Sequence, residues 1–195
     1  LFPSSSNLDG QAILAAKATR NANGSWHYEY AIYNHDMAKA IGYFSIPLGN
    51  VQPSNIGFRA VASHDEPRFD NVPWQHVLTP DGVLYWVTRS YAGPSSNPIR
   101  WGTMYNFCFD CDAPPVERSV IILPFFPGGA SRFTVRTIAP LACQADYDAN
   151  GFVNTDDFFL FINDFFNDNA DFNMDGVTNS QDFFDFLNAF FQGCP

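Results

Sequence analysis

Two twelve-residue runs in the last third of the chain carry oxygen-bearing side chains at the same offsets. The first places Asp146, Asp148, Asn150, Asn154 and Asp157 at offsets 1, 3, 5, 9 and 12, with Gly151 at offset 6. The second, 25 residues on, places Asp171, Asn173, Asp175, Asn179 and Asp182 at those offsets, with Gly176 at offset 6. Such a set can replace the water around a hard cation. Calcium takes roughly six to eight oxygen ligands, and a short loop that turns sharply at a glycine can wrap them round one ion. Aspartate stands at offset 12, where loops of this type usually have glutamate. Two such loops in register are not a chance match, because the segments on their C-terminal sides match too. Phe158-Phe159 answers Phe183-Phe184, Phe161-Ile162 answers Phe186-Leu187, and Phe165-Phe166 answers Phe190-Phe191.

The elements that must hold these loops are helices. Asn154-Thr155 and Asn179-Ser180 are polar pairs of the kind that cap a helix start. The apolar positions 158, 159, 161, 162, 165 and 166 cover an arc of roughly 160° at 100° per residue. Each half therefore reads as a loop and then a helix, without the leading helix of a full EF-hand. Paired loop-helix repeats of this length and spacing resemble a dockerin module of type I, over Cys143 to Pro195. The resemblance implies calcium ligands at those ten side chains, with the carbonyls of Phe152 and Val177 completing the two shells. Dockerins dock onto a cohesin. The basic pair that cellulosomal dockerins carry midway along the helix is replaced here by Ile162-Asn163 and Leu187-Asn188, which argues against a standard cellulosome cohesin.

Charge divides the chain at the same place. There are 20 acidic and 10 basic residues. Ten of the acids, all aspartates, lie between Cys143 and the C-terminus, where there is no Lys or Arg, so the part before it is neutral. Two calcium ions would bring the tail from −10 to −6. Without them, repulsion among clustered carboxylates should loosen it. Twelve of its 53 residues are Phe, the opposite of a disordered composition.

Of four cysteines, Cys143 precedes the first loop and Cys194 stands after the second helix. A disulfide between them would clasp the ends of the module, worth about 4 kcal/mol by loop-closure entropy. Cys108 and Cys111 form a C-x-x-C, for which zinc, redox chemistry and a local disulfide are the readings. Zinc lacks a second ligand pair, and the local disulfide is the expectation, although an extended strand would point the two thiols to opposite faces. Calcium loops with paired cysteines suggest a secreted protein, extracellular or at the cell surface. The start at Leu1-Phe2-Pro3 reads as a mature, processed product. No stretch of 18 apolar residues could span a membrane.

Residues 1–140 read as β. Trp26, Tyr28, Tyr30 and Ile32 alternate with polar or small residues, as do Trp101, Thr103, Tyr105, Phe107 and Phe109. Further strands are expected near 11–20, 41–47, 55–62, 73–79, 82–89, 117–126 and 131–138. Asn23-Gly24, Pro80-Asp81-Gly82, Gly93-Pro94, Asn97-Pro98, Pro114-Pro115 and Pro127-Gly128-Gly129 punctuate them. Asn23-Gly24-Ser25 is also a glycosylation sequon. The expected fold is a mainly β N-terminal domain over residues 1–140, an antiparallel β-sandwich of immunoglobulin or jelly-roll kind. Residues 141–195 form a small α calcium-binding dockerin-like module. Arg100 to Phe107 with Asp112-Ala113-Pro114-Pro115, and Asp65-Glu66-Pro67 ahead of Trp74, resemble a β-rich segment of secreted bacterial proteins with dockerin-like tails. That likeness implies a secreted β module and no chemistry.

No catalytic set is evident. There is no nucleophile elbow, P-loop, H-E-x-x-H or dinucleotide fingerprint. His35-Asp36 and His64-Asp65-Glu66 read as solvated loop residues, and the scattered Lys and Arg offer nucleic acid no stripe. The expectation is therefore a non-enzymatic, calcium-stabilised structural or assembly protein. Its partner would be copies of itself in a filament or a cohesin-like receptor, and residues 1–9 are a candidate extended segment for a neighbour's sheet edge. The alternative is a carbohydrate-binding or accessory module of a secreted polysaccharide-active enzyme, with Trp26, Trp74, Trp86 and Trp101 as a sugar-stacking face.

Overall fold

The computed structural model describes residues 2–3, 10–49, 51–62, 69–90, 96–128, 132–141, 143–148, 153–173 and 176–193. The chain divides into two compact units, Leu1–Pro140 and Leu141–Pro195. It is mostly β, with two antiparallel sheets and two short helices.

The first unit is built from β1 (Phe2–Pro3), β2 (Gln11–Arg20), β3 (Trp26–Asn34), β4 (Ile41–Pro47), β5 (Ser54–Arg59), β6 (Gln75–Leu78), β7 (Val83–Val87), β8 (Met104–Cys111), β9 (Pro115–Pro124) and β10 (Phe133–Pro140). One sheet has the order β1-β2-β3-β8-β5 and the other β10-β9-β4-β7-β6. Period-two alternation explains the layering. Tyr28, Tyr30 and Ile32 of β3 and Tyr105, Phe107 and Phe109 of β8 are buried, as are Phe44 and Ile46 of β4, Leu84 and Trp86 of β7, and Val120 and Ile122 of β9. Rings from the two sheets meet in one sandwich-like core. Phe44 lies 5.4 Å from Tyr30 and 5.2 Å from Phe107, and Trp86 lies 5.4 Å from Phe107.

Two expectations change here. The strand expected from Trp101 starts at Met104, because Trp101 and Gly102 form a turn in which the Gly102 amide donates to the Asn34 carbonyl at 2.8 Å. Phe2 and Pro3, the described part of the 1–9 segment, pair with Ala12 and Gln11 of their own chain.

The second unit contains α1 (Thr155–Phe165) and α2 (Ser180–Gln192). The 25-residue repeat is expressed in its packing. Phe161 and Phe186, equivalent positions, stack face to face with centroids 3.9 Å apart and planes 5° off parallel. Tyr147 and Phe172, also equivalent, each meet both of those rings edge-on. Phe158 contacts Phe190 at 5.9 Å, and the equivalent pair, Phe183 and Phe165, lies at 5.8 Å. Ala145 and Ala170, again 25 apart, are both buried. The two halves thus pack about a local twofold running between Phe161 and Phe186.

Candidate metal centre

Both loops are anchored by the first turn of the helix on their C-terminal side. Asn154 takes extended backbone, and its Oδ1 accepts the Asp156 amide at 2.7 Å. Asp157, in the first turn of α1, reaches back so that its Oδ2 accepts the Asn154 amide at 2.8 Å, which closes a capping box. Its Oδ1 accepts the Asp148 amide at 3.0 Å. One carboxylate therefore ties offsets 3, 9 and 12 together. The second loop repeats these bonds. The Asn179 Oδ1 accepts the Gln181 amide at 2.8 Å, the Asp182 Oδ2 accepts the Asn179 amide at 2.8 Å, and the Asp182 Oδ1 accepts the Asn173 amide at 3.1 Å. The aspartate at offset 12 serves both as helix cap and as loop clamp.

The electrostatics come from burial. Asp157 and Asp182 are fully buried and Asp146 nearly so. A buried carboxylate is costly unless it is hydrogen-bonded or paired with a cation. Burial pushes the Asp182 carboxyl up, but the amides of Asn173, Asn179, Phe172 and Asp182 itself outweigh it and hold it below the usual carboxylate range. An ionised carboxylate has about four acceptor sites, so each oxygen that takes one amide keeps capacity for a metal. Ligand oxygens of Asp146, Asp148 and Asp157 lie within 4.8 Å of one another. Three carboxylates at this spacing repel, and a cation among them converts repulsion to attraction. In the second loop Asp171 Oδ2 accepts the Gly176 amide at 2.8 Å, and Gly176 sits at φ +93°, a left-handed turn that favours glycine. The Val177 carbonyl accepts the Asn179 side-chain Nδ2 at 3.3 Å.

The structure therefore gathers Asp146, Asp148, Asn154 and Asp157 around one loop and Asn173, Asn179 and Asp182 around the other, where Asp171 bonds Gly176 and Val177 bonds Asn179. Asn150, Phe152 and Asp175 lie outside the described residues. The described donors are all oxygens, and the set suits a hard divalent cation over a soft one.

Cys143 is disulfide-bonded; Cys194, its expected partner, lies outside the described residues. The local disulfide expected between Cys108 and Cys111 is not formed, and both are free. The cause is the extended strand. Cys111 faces the core, where burial pushes its thiol up to about 11. Cys108 faces outward beside Gly57, where a Cβ would stand 2.6 Å from its Sγ.

Sequence reasoning missed one polar cluster. On the outer face of the first sheet, His27 Nδ1 meets Asp110 Oδ1, and Asn55 Nδ2 donates to Asp110 Oδ2 at 2.6 Å. The Asn55 bond, against burial and with help from His27, holds the Asp110 carboxyl below its usual range. These residues are far apart in the chain, and only the register His27↔Asp110 of β3 on β8 brings two of them together. Beside them runs a groove of about 630 Å³, lined in part by Ala15, Lys17, Glu29, Ala31, Arg59 and Cys108. Burial and the carboxylates of Asp110 and Glu29 raise the Cys108 thiol, which makes it a poor nucleophile.

His35 and Asp36 are an exposed pair at 3.6 Å, with Asp36 also accepting the Gln11 amide. His64, Asp65 and Glu66 lie outside the described residues. The four tryptophans do not form one stacking face: Trp74 and Trp86 are core, and Trp101 is 73% exposed. No described helix is long and apolar enough to cross a membrane. No known family model matches the chain, and no curated protein shows significant similarity to it.

Proposed function

We propose that this chain is a secreted, calcium-stabilised structural or assembly protein. Its first unit is the building block, a sandwich of immunoglobulin or jelly-roll kind. Its second unit is a dockerin-like connector holding one calcium ion in each loop. The observation that carries this reading is the bond-for-bond repetition of the two loops around Asp157 and Asp182, with three carboxylates converging in the first. Evolution of a duplicated oxygen cage has a ready physical reason if each copy binds an ion.

The outer faces of the helices support a docking role. Phe159 and Phe184 are 66% and 60% exposed, and Phe166 and Phe191 are 79% and 81% exposed. Phe166 follows Phe159 by seven positions and Phe191 follows Phe184 by seven, so the two rings of each helix lie along one face about 10 Å apart. Exposed Asn163 and Asn188 lie one turn from Phe159 and Phe184. Four large apolar rings left in water are costly for a lone molecule and useful to one that docks. The partner is a further copy of the chain, giving a filament, or a cohesin-like receptor.

Sedimentation of material from the natural source, with calcium and then with excess chelator, tests the reading. Large particles that dissociate on chelation are expected of a calcium-jointed polymer. A monomer in calcium that binds no cohesin-like receptor would overturn the assembly role. Failure to bind calcium in a titration would overturn the metal assignment.

A further inference from the structure

The hairpin joining β2 to β3 carries Asn23-Gly24-Ser25, the sole N-x-S/T sequence in the 195 residues. Asn-Gly in a hairpin ordinarily serves the backbone, because tight turns need left-handed residues that asparagine and glycine tolerate. That explanation does not hold for Asn23. Gly24 has φ +90°, but Asn23 is not among the positive-φ residues. The turn is closed instead by Asn21, whose amide donates to the Ser25 carbonyl at 2.7 Å and whose carbonyl accepts the Gly24 amide at 3.0 Å.

What distinguishes Asn23 is its side chain. Its Oδ1 accepts both the Ser25 amide, at 3.1 Å, and the Ser25 hydroxyl, at 2.8 Å. The hydroxyl is itself fixed by the Asn21 side-chain amide at 2.9 Å. Both hydrogen bonds engage the carboxamide oxygen and orient the side chain. The Nδ2 makes no hydrogen bond among the described residues, and Asn23 is exposed. Nothing described lies within 4 Å of where a side chain on Gly24 would project, so the hairpin tip is open on that side too. An approaching enzyme finds a free amide nitrogen, an oriented hydroxyl two residues on, and no proline between.

We propose that Asn23 is an N-glycosylation site, modified by a membrane-bound transferase that uses an oligosaccharide on a polyprenyl diphosphate. Asn23 Nδ2 attacks the anomeric carbon, a C–N bond forms, the C–O bond to the diphosphate breaks, the nitrogen loses a proton, and the polyprenyl diphosphate leaves. The proposal rests on the export proposed for this chain, since such transferases act on the outer side of a membrane. It does not rest on calcium or on assembly.

The test is mass spectrometry of the tryptic peptide from Asn21 to Lys39, taken from natural material separated into cell-associated and exported fractions. The expected result is a peptide heavier by whole sugar residues, returned by an amidase to the bare peptide with Asp at position 23. The unmodified peptide in the exported fraction overturns the glycan and leaves export standing. A protein found only inside cells, with the bare peptide, overturns both. In a glycosylating secretory host, Ser25→Ala should abolish the modification and Ser25→Thr should keep it. Equal occupancy in both variants would show that the hydroxyl has no part and overturn the site as argued.

Discussion

The two units of this chain reach a stable interior by different means. Among the described residues the sheet unit buries a cluster of 22, drawn from both sheets, nine of them aromatic. The corresponding cluster in the helical unit has four members, Phe161, Ala170, Phe172 and Phe186. The sheet unit balances its charges, whereas the helical unit carries ten aspartates and no base. A core as small as the second seldom folds unaided and needs a metal or a disulfide to hold it. The contrast ties the proposed calcium sites to folding of the helical unit, and perturbations of metal, disulfide and pH should separate the units on that ground.

The largest effect is expected from removing calcium. With free calcium at about 100 times its Kd, each proposed site would add about 2.7 kcal/mol to the helical unit and nothing to the sheets. Chelation, or Asp157→Ala with Asp182→Ala, should collapse the amide NMR signals of α1 and α2 while those of β2 to β10 stay in place. Loss of the sheet signals at the same chelator concentration would break the comparison, because the units would then be one cooperative body.

That division was legible in the sequence for a physical reason. Polar capping pairs mark where helices start, so the starts of α1 and α2 could be placed from Asn154-Thr155 and Asn179-Ser180. Period-two alternation placed β3 equally well. The misplaced start of β8 shows the limit. Trp101 continues the alternation of Tyr105, Phe107 and Phe109, but Gly102 turns the backbone, and pattern alone does not weigh a turn against a strand. The cluster of His27, Asn55 and Asp110 was not legible, because it exists only through pairing register. The local disulfide at Cys108 and Cys111 failed for a reason the spacing contained: three residues along a strand reverses the face.

The next effect in size concerns Cys143. Breaking its disulfide should cost the helical unit about 4 kcal/mol in the loop-entropy account. A phosphine reductant or Cys143→Ser should therefore lower the melting transition of the helices in calcium. The sheet unit, whose Cys108 and Cys111 are already thiols, should melt unchanged. A reductant-sensitive sheet transition would contradict the free state of those two cysteines.

Acid should reach the sheet unit through Asp110, with a smaller effect. Its carboxyl is held below the usual range by Asn55, against burial, and then by His27. A depressed folded value means stability that is complete above the ordinary carboxylate pKa. It is lost as pH falls through the lower, folded value. Urea melts of the sheet unit at falling pH should show this loss in the natural chain and a shallower one in Asp110→Asn. Identical pH profiles would remove Asp110 from the account.

The smallest effect on stability, and the most informative about function, is expected at the exposed rings. Phe107 lies between the sheets, and Phe107→Ala should cost about 3–5 kcal/mol as a large-to-small core change. Phe166→Ser with Phe191→Ser removes rings that water already reaches, so the helical unit in calcium should shift by no more than about 0.5 kcal/mol for each. Sedimentation of the same variant should nevertheless lose the large particles, because those rings would serve docking rather than folding. The local twofold adds a stricter requirement. Phe166 and Phe191 are equivalent positions of the repeat and similarly exposed, so either substitution alone should weaken assembly to a similar degree. Unequal effects would mean that the partner reads one helix only, and the duplication would then be explained by its two metal loops alone.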